Sequence, residues 1–211
     1  MTSRYEKLKL AQGYHHIIGC DEVGRGCLAG PVVAAAVVLD LKGKRQELRD
    51  VRDSKILSPK KREELSEIIK QNCVAWGIGM VEHAIIDEVN IHHASLQAMR
   101  LALESLTVLI PTGIAKDGGR ILVAVDGKFT IPNFHMQQEA VVDGDAKILS
   151  IAAASIIAKV FRDDLMRKFD KQYPEFKFAQ HKGYATEIHR KAILQHGLSP
   201  IHRLSFCGHL V

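Results

Sequence analysis

Two apolar runs, 16–20 (HIIGC) and 31–39 (PVVAAAVVL), stand close together, separated by Asp-Glu-Val-Gly-Arg-Gly and a few further residues. Two short apolar runs with a glycine-rich turn between them pair most simply as an antiparallel hairpin. Further along, 73–82 (CVAWGIGMVE) reads as a third strand, 121–125 (ILVAV) as a fourth and fully buried one, and 139–142 as a short fifth. Helical patterns fall between them. Ser58-Pro59 opens one over 60–71, with Ser58 as the cap and Pro59 at the first helical position. A second covers 83–109 and is stopped by Pro111-Thr112-Gly113. A third and stronger one covers 147–169, and a last one 185–195 ends at Gly197. Strands that alternate with helices in this order imply a mixed α/β sheet with helices on its faces.

The hairpin also carries chemistry. Asp21 and Glu22 come where the first run ends, and adjacent acids there suit a divalent cation better than a core. Gly24-Arg25-Gly26 follows at once, offering backbone N–H groups and a guanidinium to a phosphate. Metal ligands and phosphate ligands in one segment point to phosphodiester chemistry. Asp126, after the fourth strand, and Asp145, before the long helix, stand at similar junctions, and strand ends can bring distant residues to one rim of a sheet. Four carboxylates would be balanced by two hard divalent ions, a pair able to activate water and steady a departing 3′-oxygen. Each acid also has a plainer reading. Asp126-Gly127 is a common turn dipeptide, Asp145 or Asp143 can cap the helix behind it, and Asp163 stands four residues after Lys159 as a helical ion pair.

Charge distribution supports a polyanionic partner. Of 29 Lys and Arg and 24 Asp and Glu, residues 159–211 carry 10 and 5, so the whole positive excess lies in this last quarter. The four cysteines form no C-x-x-C unit, which fits reduced thiols and a cytoplasmic setting. The eleven histidines are scattered without zinc-ligand spacing. The first sixteen residues lack a signal-peptide core, and no apolar run matches a membrane span.

The sequence resembles the type 2 ribonucleases H, the ribonuclease HII family. The resemblance rests on DEVGRG at 21–26 followed by GPVVAAA at 30–36, Asp53-Ser54-Lys55, Val125-Asp126-Gly127, Gly144-Asp145, SIAAASIIAKV at 150–160, Gly183-Tyr184-Ala185-Thr186 and His202-Arg203-Leu204-Ser205-Phe206. These blocks run in family order from residue 18 to 206. The sister branch, ribonuclease HIII, fits less well: its members usually carry an extra N-terminal domain, and Arg25 and Asp145 match the HII pattern better.

The resemblance implies a ribonuclease-H-like sheet in one catalytic domain over 1–211, with a core to about residue 170 and a basic C-terminal helical part over about 171–211. It implies cleavage of RNA in RNA–DNA hybrids, and on the 5′ side of single ribonucleotides in duplex DNA, leaving 3′-hydroxyl and 5′-phosphate ends. Asp21, Glu22, Asp126 and Asp145 would be the catalytic set, holding Mn²⁺ or Mg²⁺. Gly24, Arg25 and Gly26 would sense the 2′-hydroxyl, Tyr184 would lie on the next deoxyribose, and Lys55, Ser155 and Lys159 would meet phosphates. Without the family, Tyr184 reads as a packed aromatic and Ser155 as a residue bonded to its own helix. The basic residues Lys177, Lys182, Arg190, Lys191 and Arg203 read as solvent surface or, beside Tyr184, as a duplex-binding face. A monomer is expected, and no sliding-clamp peptide is evident. A DNA nuclease on the same fold and a non-catalytic nucleic-acid binder are the competing readings.

Overall fold

The computed structural model describes residues 3–40, 47–109, 120–208 and 210. Five strands, β1 (Tyr14–Val23), β2 (Val32–Leu39), β3 (Cys73–Val81), β4 (Arg120–Asp126) and β5 (Gln137–Val141), form one mixed sheet in the order β3-β2-β1-β4-β5. The hairpin expectation holds: β1 and β2 are antiparallel, as are β2 and β3, while β4 and β5 run parallel to β1. β1 is longer than the apolar run that marks it. Its ladder with β2 continues through Asp21–Ala35, Glu22–Ala34 and Val23–Val33, so both acids are strand residues rather than residues after a strand. Asp126 is likewise the last residue of β4.

All eight residues of β2 are buried, and period 2 divides them between two cores. Val32, Ala34, Ala36 and Val38 face helix α3 (His83–Leu109), joined by Ala98, Met99, Ala102 and Leu103. Val33, Ala35, Val37 and Leu39 face helices α2 (Pro59–Asn72) and α5 (Leu149–Gln172). The alanine run at 152–154 lets α5 lie close on the sheet. At Gly19 of β1 an added Cβ would stand 2.1 Å from the Ser150 carbonyl carbon. Ser58 caps α2 as expected, its hydroxyl accepting from Lys61 N at 3.3 Å.

Two helices differ from expectation. α3 is broken at Asn90 (φ 67°), whose Oδ1 accepts from the N–H groups of His92 and His93 and so caps the second half. Its expected stop at Pro111-Thr112-Gly113 lies outside the described residues. The helix expected over 147–169 is two, α4 (Gly144–Lys147) and α5, with Ile148 extended between them and buried against Tyr14, Ile17 and Leu122. Asp145 therefore lies inside α4, and Asp143, at left-handed φ 55°, makes no side-chain cap. The cap of α5 comes from far away. In α1 (Arg4–Ala11), a helix without an apolar stripe to mark it, Glu6 is fully buried and accepts from Ser150 N at 2.9 Å.

The C-terminal part comprises α6 (Phe178–His181), α7 (Glu187–His196) and α8 (Leu204–Cys207), packed on Leu28, Met166, Phe176 and Phe178. α7 begins two residues later than expected because Thr186 is its cap. No helix among the described residues is long and apolar enough to cross a membrane.

Candidate active site

Register brings the acids together. Cys20 pairs with Val125 in the parallel β1–β4 ladder, so Asp21 and Asp126 are the next residues on neighbouring strands, at their carboxyl ends. Successive strand residues point to opposite faces. Asp21 turns toward α5, where Ser155 hydrogen-bonds it, and Glu22 turns toward Arg25, which donates to its Oε1 at 3.1 Å. Asp126 Oδ1 accepts the backbone N–H of Gly144 at 2.7 Å, tying β4 to α4. Asp145, buried, is ion-paired to Lys55 Nζ at 2.8 Å. Asp21, Glu22 and Asp126 line a cleft of about 230 Å³ together with Gly24, Arg25, Ser54, Lys55, Ser155 and Lys159.

This arrangement is electrostatically loaded. Burial pushes the Asp21 carboxyl well above the usual range, and Glu22, Asp126 and Asp145 push it further. Glu22 is raised by burial against the pull of Arg25, and Asp126 by burial against the Gly144 N–H. Lys55 is held above its ordinary value by its bond to Asp145. Glu22 Oε2 is buried and has no hydrogen-bond partner. Like-charged oxygen donors with one orphaned lone-pair bearer fit a hard divalent cation. The set is not preassembled: among the described residues no three carboxylate, imidazole or thiol groups surround one point. Lys55 and Arg25 neutralise two of the four acids.

A second groove adjoins the first, and Lys159 lines both. Tyr184 lies there among Arg62, Arg167 and Lys182, 38% exposed, with Lys159 Nζ 5.6 Å from its ring centre. Lys159 also makes the ion pair with Asp163, at 2.7 Å, so the plainer reading of that pair holds. Ser155 bonds across to Ser54 at 2.9 Å as well as to Asp21, rather than serving its own helix alone. Gly26 is an exposed turn residue beside Arg25. Gly24, at φ 93°, has no room for a side chain: a Cβ would meet Arg162 Nε at 2.2 Å.

Sequence reasoning missed the residues behind this surface. Arg162 and Arg203 are both fully buried. Arg162 donates to the carbonyls of Pro31, Ala29 and Lys182, and Arg203 to those of Gly30 and Arg25. Neither expected placement of Arg203, on the solvent surface or on a duplex-binding face, survives. It is a strut, and one buried nitrogen, Nη2, has no partner. Lys177, Arg190 and Lys191 are exposed, whereas Lys182 is half-buried with its ammonium on Ala179 O. Nothing local marks the struts: Arg162 stands directly before Asp163-Asp164 and Arg203 directly after His202, in polar stretches like those of a surface.

The family model described as Ribonuclease HII matches residues 18–209. A Ribonuclease HII from Alkaliphilus metalliredigens is 46% identical over 92% of this chain and 91% of its own length. The crystal structure of ribonuclease H2 from Pyrococcus horikoshii superposes with a TM-score of 0.72 at 28% identity, covering 92% of this chain and 96% of that one. A Bst-RNase HIII structure in complex with Mn²⁺ shares the fold, with a TM-score of 0.71 at 20% identity over 98% of this chain and 71% of that one. The chain belongs to the ribonuclease HII family, ribonuclease H hydrolases that depend on divalent metal and cut RNA endonucleolytically within RNA–DNA hybrids.

Proposed function

We propose that this enzyme cuts on the 5′ side of single ribonucleotides embedded in duplex DNA as well as within longer hybrids, leaving 3′-hydroxyl and 5′-phosphate ends, and so serves ribonucleotide removal in replication and repair. The observation that carries the reading is the contact between cleft and groove. Cys27, directly after Gly24-Arg25-Gly26, forms an antiparallel bridge with Tyr184. A backbone loop suited to a ribose 2′-hydroxyl thereby adjoins an aromatic ring suited to the neighbouring deoxyribose, at the edge of the acidic cleft.

In this reading Asp21, Glu22, Asp126 and Asp145 hold the metal, Mn²⁺ or Mg²⁺. The bound ions would supply the charge that activates water and steadies the departing 3′-oxygen. The chain's own residues do the rest. Gly144 N–H fixes the orientation of Asp126, Arg25 that of Glu22, and Ser155 that of Asp21. Lys55 pairs with Asp145 at 2.8 Å and is free to turn to a phosphate once a cation replaces it, because its side chain is 75% exposed. Lys159 and Ser155 stand where the backbone would pass between cleft and groove. The enzyme is a monomer acting as one catalytic unit in the cytoplasm, consistent with four free cysteines.

The test is an end-labelled DNA duplex carrying one ribonucleotide, beside its all-DNA twin, with Mg²⁺, Mn²⁺ or chelator. A single metal-dependent cut 5′ of the ribonucleotide, absent from the twin, is expected. Cutting of both duplexes would replace this reading with that of a DNA nuclease.

A further inference from the structure

Three histidines that the sequence scatters meet behind Tyr184. His181, His189 and His202 are buried, at 7%, 0% and 2% exposure. The rings of His181 and His189 stack at 4.3 Å, and Phe176 and Phe178 wall the group edge-on. All six ring nitrogens are engaged. His181 Nδ1 accepts from Gly183 N and its Nε2 faces Phe176 O. His189 Nδ1 faces Tyr184 O at 2.9 Å, and its Nε2 faces His202 Nε2 at 3.0 Å. His202 Nδ1 faces the N–H and hydroxyl of Ser199 at 2.8 and 2.7 Å.

These partners dictate the tautomers. A carbonyl only accepts, so His189 carries its proton on Nδ1 and its Nε2 is an acceptor. His202 accepts at Nδ1 from a backbone N–H, so its proton is on Nε2 and is donated to His189. His181 is protonated on Nε2 toward Phe176 O. Each ring is thus neutral, and a second proton on His189 or His202 would set two N–H groups against each other at 3.0 Å.

The location gives the arrangement its meaning. Residues 27–30, directly behind the Gly24-Arg25-Gly26 turn, run between two C-terminal segments. On one side Cys27 bridges Tyr184, and Leu28 N donates to Gly183 O at 2.8 Å. On the other Ala29 bridges His202, and Gly30 N donates to Ile201 O at 2.9 Å. The His189–His202 bond joins the two flanks, with His189 holding the Tyr184 peptide from the side away from the groove.

We propose that His189 and His202 are positioning residues, a neutral imidazole pair that fixes the Tyr184 peptide and so aims its ring at the sugar of the ribonucleotide–deoxynucleotide step. This rests on the reading of Tyr184 as a substrate contact. Burial pulls both imidazoles down to about 4. The ionisable groups around them, His181 beside His189 and His202, and His83 beside His202, add to that, while Lys182 and Asp170 act in opposite directions on His181.

Two substitutions at one position separate the tether from the pair. His189→Asn keeps an N–H near the Nδ1 position for Tyr184 O and loses the acceptor for His202. His189→Gln keeps an acceptor near the Nε2 position and loses the tether. Each removes one hydrogen bond, so a merely structural role lowers stability and affinity alike in both. Affinity for a duplex with one ribonucleotide is measured in chelator. It is expected to be about fivefold weaker for His189→Gln than for His189→Asn, the scale of one net hydrogen bond. In a Tyr184→Ala background that gap is expected to close. Imidazole ¹⁵N spectra of the wild type are expected to show the neutral tautomers of His189 and His202 down to about pH 5.5, where a free histidine is mostly charged. The Tyr184 and Ala185 amide signals are expected to shift in His189→Gln and to hold in His189→Asn. Equal affinities of the two variants while Tyr184→Ala binds weakly, or the opposite tautomer at His189, would overturn the proposal. If Tyr184→Ala binds as wild type, the substrate reading of Tyr184 fails instead, and the tether is then judged on the amide signals alone: a shift confined to His189→Gln upholds it, and its absence ends it.

Discussion

The acidic cleft and the joint behind Tyr184 both bury charged or ionisable groups, and they treat them in opposite ways. In the cleft Asp21 is raised by burial and then further by its three acidic neighbours, and Glu22 keeps a buried oxygen with no partner. In the joint, Arg162 and Arg203 give their hydrogen bonds to five backbone carbonyls, and the three histidines engage every ring nitrogen. Burial draws the Arg203 guanidinium down to about 10, which leaves it charged at neutral pH. Each region holds one buried polar atom without a hydrogen bond, Glu22 Oε2 in the cleft and Arg203 Nη2 in the joint, so what separates them is the neighbours. A buried charge whose other hydrogen bonds go to its own backbone holds structure in place, whereas a buried charge facing others of its sign is completed by a ligand. The two regions meet at residues 24–30, whose front faces the cleft and whose back is gripped by the joint.

The sharpest way to break this comparison is to neutralise one member of each region. Asp21→Asn or Asp126→Asn is expected to lower the cleavage rate by roughly a thousandfold, the scale of losing one electrostatic group at a reacting centre, with the fold kept, as seen by circular dichroism. Arg162→Met is expected to do the reverse. Three carbonyls lose their donor, and urea unfolding should report a loss of roughly 3–5 kcal/mol. A stable Arg162→Met protein would show that the joint is not a strut.

The next effect sharpens the contrast through pH. A carboxyl raised in the folded state holds its proton to higher pH than in the unfolded chain, so stability falls as pH rises through that interval and stays lower at neutral pH. Asp21→Asn, inactive as it is, should therefore melt about 2–4 °C higher than the wild type at pH 7 in chelator, for a gain of about 1 kcal/mol. The gain should shrink below about pH 4, where the unfolded aspartate is protonated too. The histidines carry the opposite dependence. Their contribution is complete above about pH 6.5 and is lost as pH falls toward about 4. The smallest expected effect is at Lys191, whose pair with Glu187 at 2.6 Å is exposed on both sides. Lys191→Ala should change stability by less than about 0.5 kcal/mol, although it removes a positive charge from the same basic segment as Arg203.

Much of this was legible in the sequence because strands announce themselves by apolar runs and sites by charge beside glycine. The hairpin, the five strands in order and the Ser58 cap follow from local pattern, and Asp21, Glu22, Gly24 and Arg25 stand next to one another in the chain. The motif blocks also named Tyr184, although local pattern alone favoured a packed aromatic. What stayed hidden is nonlocal. Glu6 caps a helix 144 positions away. Arg162 reaches back to Pro31 and Ala29. His181, His189 and His202 share no ligand spacing and meet only because residues 27–30 lie between their segments. The breaks at Asn90 and Ile148 interrupt helical patterns whose apolar periodicity runs on through them.

The most direct test of the account measures binding and cutting on one substrate, an end-labelled duplex with a single ribonucleotide, for Asp126→Asn beside the wild type in Mg²⁺. The variant is expected to bind the duplex at least as tightly as the wild type and to leave it uncut. Cleavage at a comparable rate, or loss of binding in step with loss of cleavage, would contradict the division between a cleft that carries the chemistry and a loop and ring that carry recognition.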